Sequence, residues 1–271
     1  MCRAWSEREL LWNLFLRDLR TRYRRNAIGW AWSMINPAVL TLIYTFVFTQ
    51  IFPARPPAGI PSGMKVYSFY LLSGLLPWNA LVNGVTAATA ALSGGGGLMA
   101  KVRFSREHLV LAPVLAMIVT LLIELSILAG IELVAGYVTF HLVPVVLLLT
   151  VLLTLFISGL ALMIAALNLR YRDVQHLTSI GFLVWFYLTP VIYPASLLPK
   201  RSSIGGLEIP VRAILSYNPM SRFLLAYRSC FFDITLPGSE TMAGLVVISV
   251  ATFGLGYRFF IRRAPWFVED L

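Results

Sequence analysis

Only two cysteines, Cys2 and Cys230, occur in 271 residues, too few to define a disulfide framework. Histidine is nearly as rare: His108, His141 and His176 stand singly, without the spacing of a metal site. Charge is scarce too. Asp, Glu, Lys and Arg make up 13% of the chain, against roughly 25% in a soluble domain. These shortages, together with the apolar excess below, exclude a disulfide scaffold, a soluble enzyme and a disordered tail. No Ser/His/Asp or Cys/His arrangement can be assembled for nucleophilic catalysis, and no N-x-[ST] sequon is present. The glycine run at 94–97, ending in Lys101, lacks the G-x-x-x-x-G-K-[ST] order of a phosphate loop and follows no strand. It reads as a hinge.

What the chain has is hydrocarbon. Apolar residues are 58% of it and the mean hydropathy is +0.78. Several apolar runs reach the roughly 20 residues that cross about 30 Å of bilayer core. The pattern predicts an all-α integral membrane protein, one membrane domain over 1–271, with spans near 33–52, 67–92, 109–137, 142–167, 176–197 and 241–261. The less apolar stretch 198–240 carries Pro199, Gly205, Gly206, Pro210, Pro219, Pro237 and Gly238. It is expected to form a pair of short re-entrant helices, because broken backbone at membrane depth survives only against protein or a water-filled cavity.

Charge sets the expected orientation. Of 22 basic residues, seven precede the first span, three lie between spans two and three, two between four and five, and three at the end. Seven others fall on the opposite side: Arg55, Lys65, Lys200, Arg201, Arg212, Arg222 and Arg228. Basic residues collect in cytoplasmic loops, so both termini are expected in the cytoplasm. The net charge of +10 is thereby assigned to topology rather than to nucleic acid. The first thirty residues hold Glu7, Glu9, Asp18 and seven arginines, without the apolar core of a cleavable signal.

Before the first span, an amphipathic helix over about 7–31 is expected to lie in the membrane interface. Asn13, Arg17, Arg20 and Arg24 follow at intervals of four, three and four and share one face. Two roles stand open for these arginines: contact with anionic lipid, or with a phosphate on a substrate. Aromatics are also abundant, at 13%. Tyr44, Phe48 and Phe52 repeat every four residues in span one, and Phe182, Trp185 and Phe186 crowd span five. They suit either an interfacial belt or a passage lining over which sugar rings slide. Within the spans the ionisable residues are essentially Glu124 and Glu132, too few for a proton relay.

Three stretches carry a family likeness: RDLRTRYRRNAIGWAWSMINPAVL (17–40), ALNLRYRDVQHLTSIGFLVWFYLTPVIYP (166–194) and LSYNPMSRFLLAYR (215–228). In order and spacing, over nearly the whole chain, the sequence resembles the transmembrane subunit of type-2 ABC exporters of lipid-linked polysaccharide, whether O-antigen or teichoic acid. The resemblance implies a homodimeric permease in the inner (cytoplasmic) membrane, without a catalytic site or metal of its own. It would join two copies of a cytoplasmic ATP-binding cassette subunit that binds ATP and Mg. A cytoplasmic coupling helix would span 98–108, placing Lys101, Arg103, Arg106 and Glu107 against the ATPase, beside a junction carrying Arg170, Arg172 and Asp173. Two outer helices over about 197–235 would cap the exit. The cargo implied is an undecaprenyl-diphosphate-linked polysaccharide of the O-antigen type. The alternatives are teichoic acid or, from another class, a secondary transporter, which would need inverted repeats and polar mid-membrane sites.

If the N-terminal arginines meet a substrate phosphate, replacing Arg17, Arg20 and Arg24 with Ala lowers affinity for a diphosphate-linked lipid. Binding to the purified protein is the measurement, and unchanged affinity removes that role.

Overall fold

The computed structural model describes residues 9, 11–19, 31–47, 50, 58–95, 105–194, 202–204, 207–209, 215 and 217–264. Helices dominate it: α1 (11–19), α2 (Ala31–Phe46), α3 (Tyr67–Gly94), α4 (Glu107–Val134), α5 (Val143–Arg170), α6 (Val174–Tyr187), α7 (Pro219–Arg228) and α8 (Ser239–Arg263). A single 3-10 turn, Phe140–Leu142, leads into α5, and a π-helical turn, Ser229–Asp233, extends α7. The one sheet among the described residues is an antiparallel hairpin, β1 (Ser202–Ile204) with β2 (Leu207–Ile209), in which Ser203 faces Glu208.

Among the described residues three helices are long and apolar enough to cross a membrane: Glu107–Val134, Phe140–Arg170 including its 3-10 turn, and Ser239–Arg263. At 1.5 Å per residue, a 28-residue helix such as α4 runs about 42 Å, more than the hydrocarbon thickness. α3 is equally long at 28 residues, but Ser73, Asn79, Asn83, Thr86, Thr89 and Ser93 dilute its apolarity. It tolerates them because it is the central helix, with eighteen of its residues buried against α4, α5, α7 and the π turn. Thr86, Thr89 and Ser93 turn their hydroxyls back onto carbonyls four residues earlier, so their polarity is met within the helix.

α8 is peripheral. Its buried residues are Leu245, Ser249, Gly256 and Phe260, at intervals of four, seven and four, a single stripe that packs on α5. The contact is backbone on backbone. A Cβ built on Gly159 of α5 would overlap the Thr252 carbonyl of α8, and one on Gly256 would overlap the Gly159 carbonyl. Lipid offers helices no hydrophobic reason to associate, so close approach through small residues supplies the packing instead.

The segment expected as span 176–197 is helical only over Val174–Tyr187, and residues 188–193 form a bend. Pro190 is the cause: its ring disfavours helical backbone at Thr189, and it has no N–H for the Phe186 carbonyl. The Thr189 N–H takes that carbonyl instead, at 3.2 Å. α6 is also poorly covered, with Phe182 its one buried residue. At Asn218-Pro219 a new helix starts, with helical Leu215 and Tyr217 just before it. Asn218 is the N-cap, its side chain accepting from the Met220 N–H, and Pro219 takes the first-turn place where no N–H is needed.

Gly159→Ala and Gly256→Ala should each destabilise the protein by about 1–3 kcal/mol, the range for overpacking a filled site. Thermal unfolding in detergent measures this, with Gly254→Ala, at an open position, as the silent control.

Candidate functional site

The alternating helices bring chemistry to two ends of the bundle. At the basic end, one amide ties three helices together. Asn168, in the last turn of α5, is buried; its Nδ2 donates to Ser93 Oγ of α3 at 3.0 Å, and its Oδ1 accepts from the Gln175 N–H of α6 at 2.9 Å. Beside the start of α4, the Arg106 guanidinium donates to the Ala264 carbonyl just past α8. Glu107 sits half-buried in the first turn of α4, where the helix dipole favours an acid. Arg170, Tyr171, Arg172 and Asp173 are exposed, and the Arg170 guanidinium lies 5.5 Å from the Tyr171 ring centre. The structure thus places Arg106, Glu107, Arg170, Arg172 and Asp173 at one end; Lys101 and Arg103 lie outside the described residues.

On α1, Arg17 is exposed and pairs with its neighbour Asp18 at 3.1 Å. Arg20 and Arg24 lie outside the described residues. An apolar groove of about 640 Å³ runs between α1 and α4, lined mainly by Trp12, Phe15, Leu115, Ile118 and Val119.

Three of the six singled-out aromatics form a cluster. Phe182 stacks on Trp185 at 6.2 Å, and Trp78 of α3 meets the edges of Trp185 and Phe186 at 5.8 and 5.5 Å. Trp78, which follows Pro77 within the span expected at 67–92, joins the cluster although it is not among the aromatics singled out above. Tyr44 is half-buried on α2, while Phe48 and Phe52 lie outside the described residues. The Trp185 Nε1–H donates to Asn218 Oδ1 at 2.9 Å, which links the cluster to the opposite end of the bundle.

That opposite end is organised by a buried arginine. Arg228, the last residue of α7, is 4% exposed. Its Nη1 donates to the Pro190 carbonyl at 2.7 Å, its Nη2 to the Val191 carbonyl at 2.6 Å and its Nε to the Tyr70 carbonyl at 3.4 Å. The cation lies 3.8 Å from the centre of the Tyr70 ring. Among the described residues no carboxylate is within ion-pair distance of it. Gly74 leaves the space for the guanidinium, since a Cβ there would sit 2.9 Å from Nη2. The rest of the bend is held in the same way. The Tyr67 hydroxyl donates to the Ile192 carbonyl, the Tyr70 hydroxyl to the Tyr193 carbonyl, and Asn218 Nδ2 to the Leu188 carbonyl and to Thr189 Oγ1.

The π turn is fastened to the loop before α3: Asp233 Oδ1 accepts from the Ile60 N–H at 3.0 Å, and Ser62 Oγ donates to the Phe232 carbonyl at 2.6 Å. Burial raises the Asp233 carboxyl above its usual value, against the lowering effect of that N–H and of Arg228. Cys230 is buried in the same turn, and burial pushes its thiol up to about 12, which leaves it unreactive near neutral pH. Among the described residues no three His, Cys, Asp or Glu side chains gather as a metal site.

Comparison with known proteins places these features. Residues 9–232 match the family model described as ABC-2 type transporter. The chain is 30% identical over 270 residues to the O-antigen export system permease protein RfbA of Myxococcus xanthus, covering 98% of this chain and 97% of that one. It is 25% identical over 221 residues to a protein of the same description from Klebsiella pneumoniae, covering 81% and 79% of the two chains.

Asn168→Leu should destabilise the protein by about 1–3 kcal/mol, because it leaves the Gln175 N–H without its acceptor and removes the tie to Ser93. Asn168→Asp keeps the acceptor and should lose less; thermal unfolding of the two variants in detergent compares them.

Proposed function

This chain belongs to the ABC-2 type transporter family, and we propose that it is the membrane half of an ATP-driven exporter that carries an undecaprenyl-diphosphate-linked polysaccharide of the O-antigen class outward across the inner membrane. The observation that carries the reading is full-length similarity: 98% of the chain aligns with a relative described as an O-antigen export permease. It works as a transport subunit. In this reading α2, α3, α4, α5, α6 with its bend, and α8 are the six crossings, and α7 with the π turn is the re-entrant outer element. The positive-inside bias supports placing the basic end, with both termini, in the cytoplasm.

Energy comes from two copies of a separate ATP-binding subunit, which hold the ATP and Mg. The exposed run Arg170–Asp173 and the start of α4 at Arg106 and Glu107, with Lys101 and Arg103 just before it, are the docking face. A second copy of this chain completes the passage. The bare face of α6, where Leu177, Ile180, Leu183, Val184 and Tyr187 are all exposed, supports such a neighbour, since so large an apolar surface needs lipid or protein to cover it. Arg17, Arg20 and Arg24 meet the diphosphate. Tyr44, Phe48, Phe52, Phe182, Trp185 and Phe186 offer flat, weakly polar surface to the sugars. Nucleotide-driven closure of the ATPase then biases the two copies between inward and outward states.

Co-expression with the ATP-binding subunit should yield a stable complex whose membrane vesicles move lipid-linked polysaccharide only with ATP. Absence of a complex, or transport without nucleotide, overturns the reading. Arg170→Glu with Arg172→Glu should weaken ATPase binding by about tenfold or more, a difference of 1.4 kcal/mol, as measured by co-purification at increasing salt.

A further inference from the structure

The bend at 188–193 poses a problem of backbone chemistry. In a continuing helix the Pro190 carbonyl would bond the N–H of residue 194, but that residue is Pro194 and has none. An orphaned carbonyl at membrane depth costs several kcal/mol, so the bend needs donors from elsewhere. Side chains supply them to the carbonyls of residues 188, 190, 191, 192 and 193, and every donor belongs to α3 or to Asn218 and α7. The π turn that follows is in turn bound to the loop before α3. The bend, α7, the π turn, the loop at 58–66 and the first turns of α3 are therefore one closed network.

α6 enters this network from a rod whose other packing is sparse, with Trp185 and Phe186 against Trp78 of α3 near the bend. Its middle buries Phe182 alone, and its other end is tied by the Gln175 N–H to Asn168, next to the exposed junction Arg170–Asp173. A displacement at the junction therefore reaches the opposite end through α6, and leaves α6 through the bend. We infer that Arg228 is a positioning residue for transport: it seats the end of α6 on α3, so that the bend, α7 and the π turn move as one outer cap when the junction moves. The inference rests on the exporter reading above. Arginine suits the task because one planar fork reaches three carbonyls at once, whereas the lysine ammonium is a point donor that cannot hold that geometry.

The test uses the complex with its ATP-binding subunit in vesicles, in a Cys2→Ser background that leaves Cys230 as the single thiol. Three quantities are read: ATP hydrolysis, ATP-dependent export, and modification of Cys230 by a membrane-impermeant maleimide. With Arg228 in place, Cys230, 1% exposed, should stay unmodified. Arg228→Lys should keep hydrolysis within about twofold while export falls about tenfold, the equivalent of about 1.4 kcal/mol in a rate-limiting barrier, and Cys230 becomes modified. Asn218→Ser keeps a helix cap but loses the donors to Leu188 and Thr189, and Tyr67→Phe removes only a hydroxyl. Both should show the same split to a smaller degree, and they decide the matter if Arg228→Lys does not assemble. Export and hydrolysis falling in proportion, or export unchanged with Cys230 protected, overturns the positioning role. A parent complex that hydrolyses ATP without exporting overturns the exporter reading instead, while Cys230 labelling still reports on the cap.

Discussion

Everything at the Arg228 end of the bundle follows from the need of a buried carbonyl group for a donor. Pro190 ends α6 and Pro194 withholds the next N–H, so the chain between them has acceptors without helical partners. Arg228, Tyr67, Tyr70 and Asn218 meet that need. Because these donors sit on α3 and at the start and end of α7, satisfying the bend also fixes where α7 and the π turn lie. Gly74 and the Tyr70 ring are consequences: one leaves room for the guanidinium, the other covers it with the negative face of an aromatic ring. A buried cation held by carbonyl dipoles and a ring has no need of a buried carboxylate, whose own desolvation would add to the cost.

The middle of the bundle obeys a different rule. Between helices in lipid, apolar surface gains little from burial against other apolar surface, so contact is decided by shape. α3, α4, α5 and α8 have the shape: the Gly159 and Gly256 backbones touch, and α3 is buried along most of its length. α2 and α6 do not, and they leave Leu42, Ile43, Phe46, Leu177, Ile180 and Leu183 uncovered. The chain is thus a packed four-helix body with two sparsely packed helices beside it. On the exporter reading these two are where a partner copy and a passage belong, because a path for a polymer has to form between surfaces that are not already locked together.

Much of this was legible in the sequence, for definite reasons. Apolar runs as long as 109–137 have no other stable use than a membrane or a large core, and three separated motifs in family order specify the permease class. The site was less legible. Arg228 counts in sequence only as one more positive charge on the outer side, because its partners at 190 and 191 lie almost forty residues earlier and only the fold brings them near. A signal did exist: two prolines four apart at 190 and 194 announce an orphaned carbonyl, and its donor is the arginine in the less apolar stretch 198–240. The same prolines explain why α6 stops at Tyr187 although apolar residues continue to Ile192. Asn168 was visible inside the junction motif, but its bonds to α3 and α6 depend on how three helix ends meet. The Gly159–Gly256 contact had half a sequence signal: Thr252 and Gly256 form a small-xxx-small pair on α8, but Gly159 has no small residue four positions away on α5.

The positions of the polar ties bear on how such a subunit can be driven. Among the described residues the side-chain hydrogen bonds that tie α6 to its neighbours gather at its two ends, around Asn168 and around the bend. A helix fastened at its ends and loose between them transmits an axial or tilting motion, whereas a helix bonded along its length would have to break many contacts together. α6 has the first design, with Gln175 at one end, the bend at the other and a single buried residue between. Its other fastening consists of side-chain donors on backbone carbonyls, from Arg228, Tyr67, Tyr70 and Asn218. On the positioning role inferred for Arg228, motion delivered to the bend passes to α7 through the guanidinium, and a planar fork on several carbonyls makes such a joint stiff.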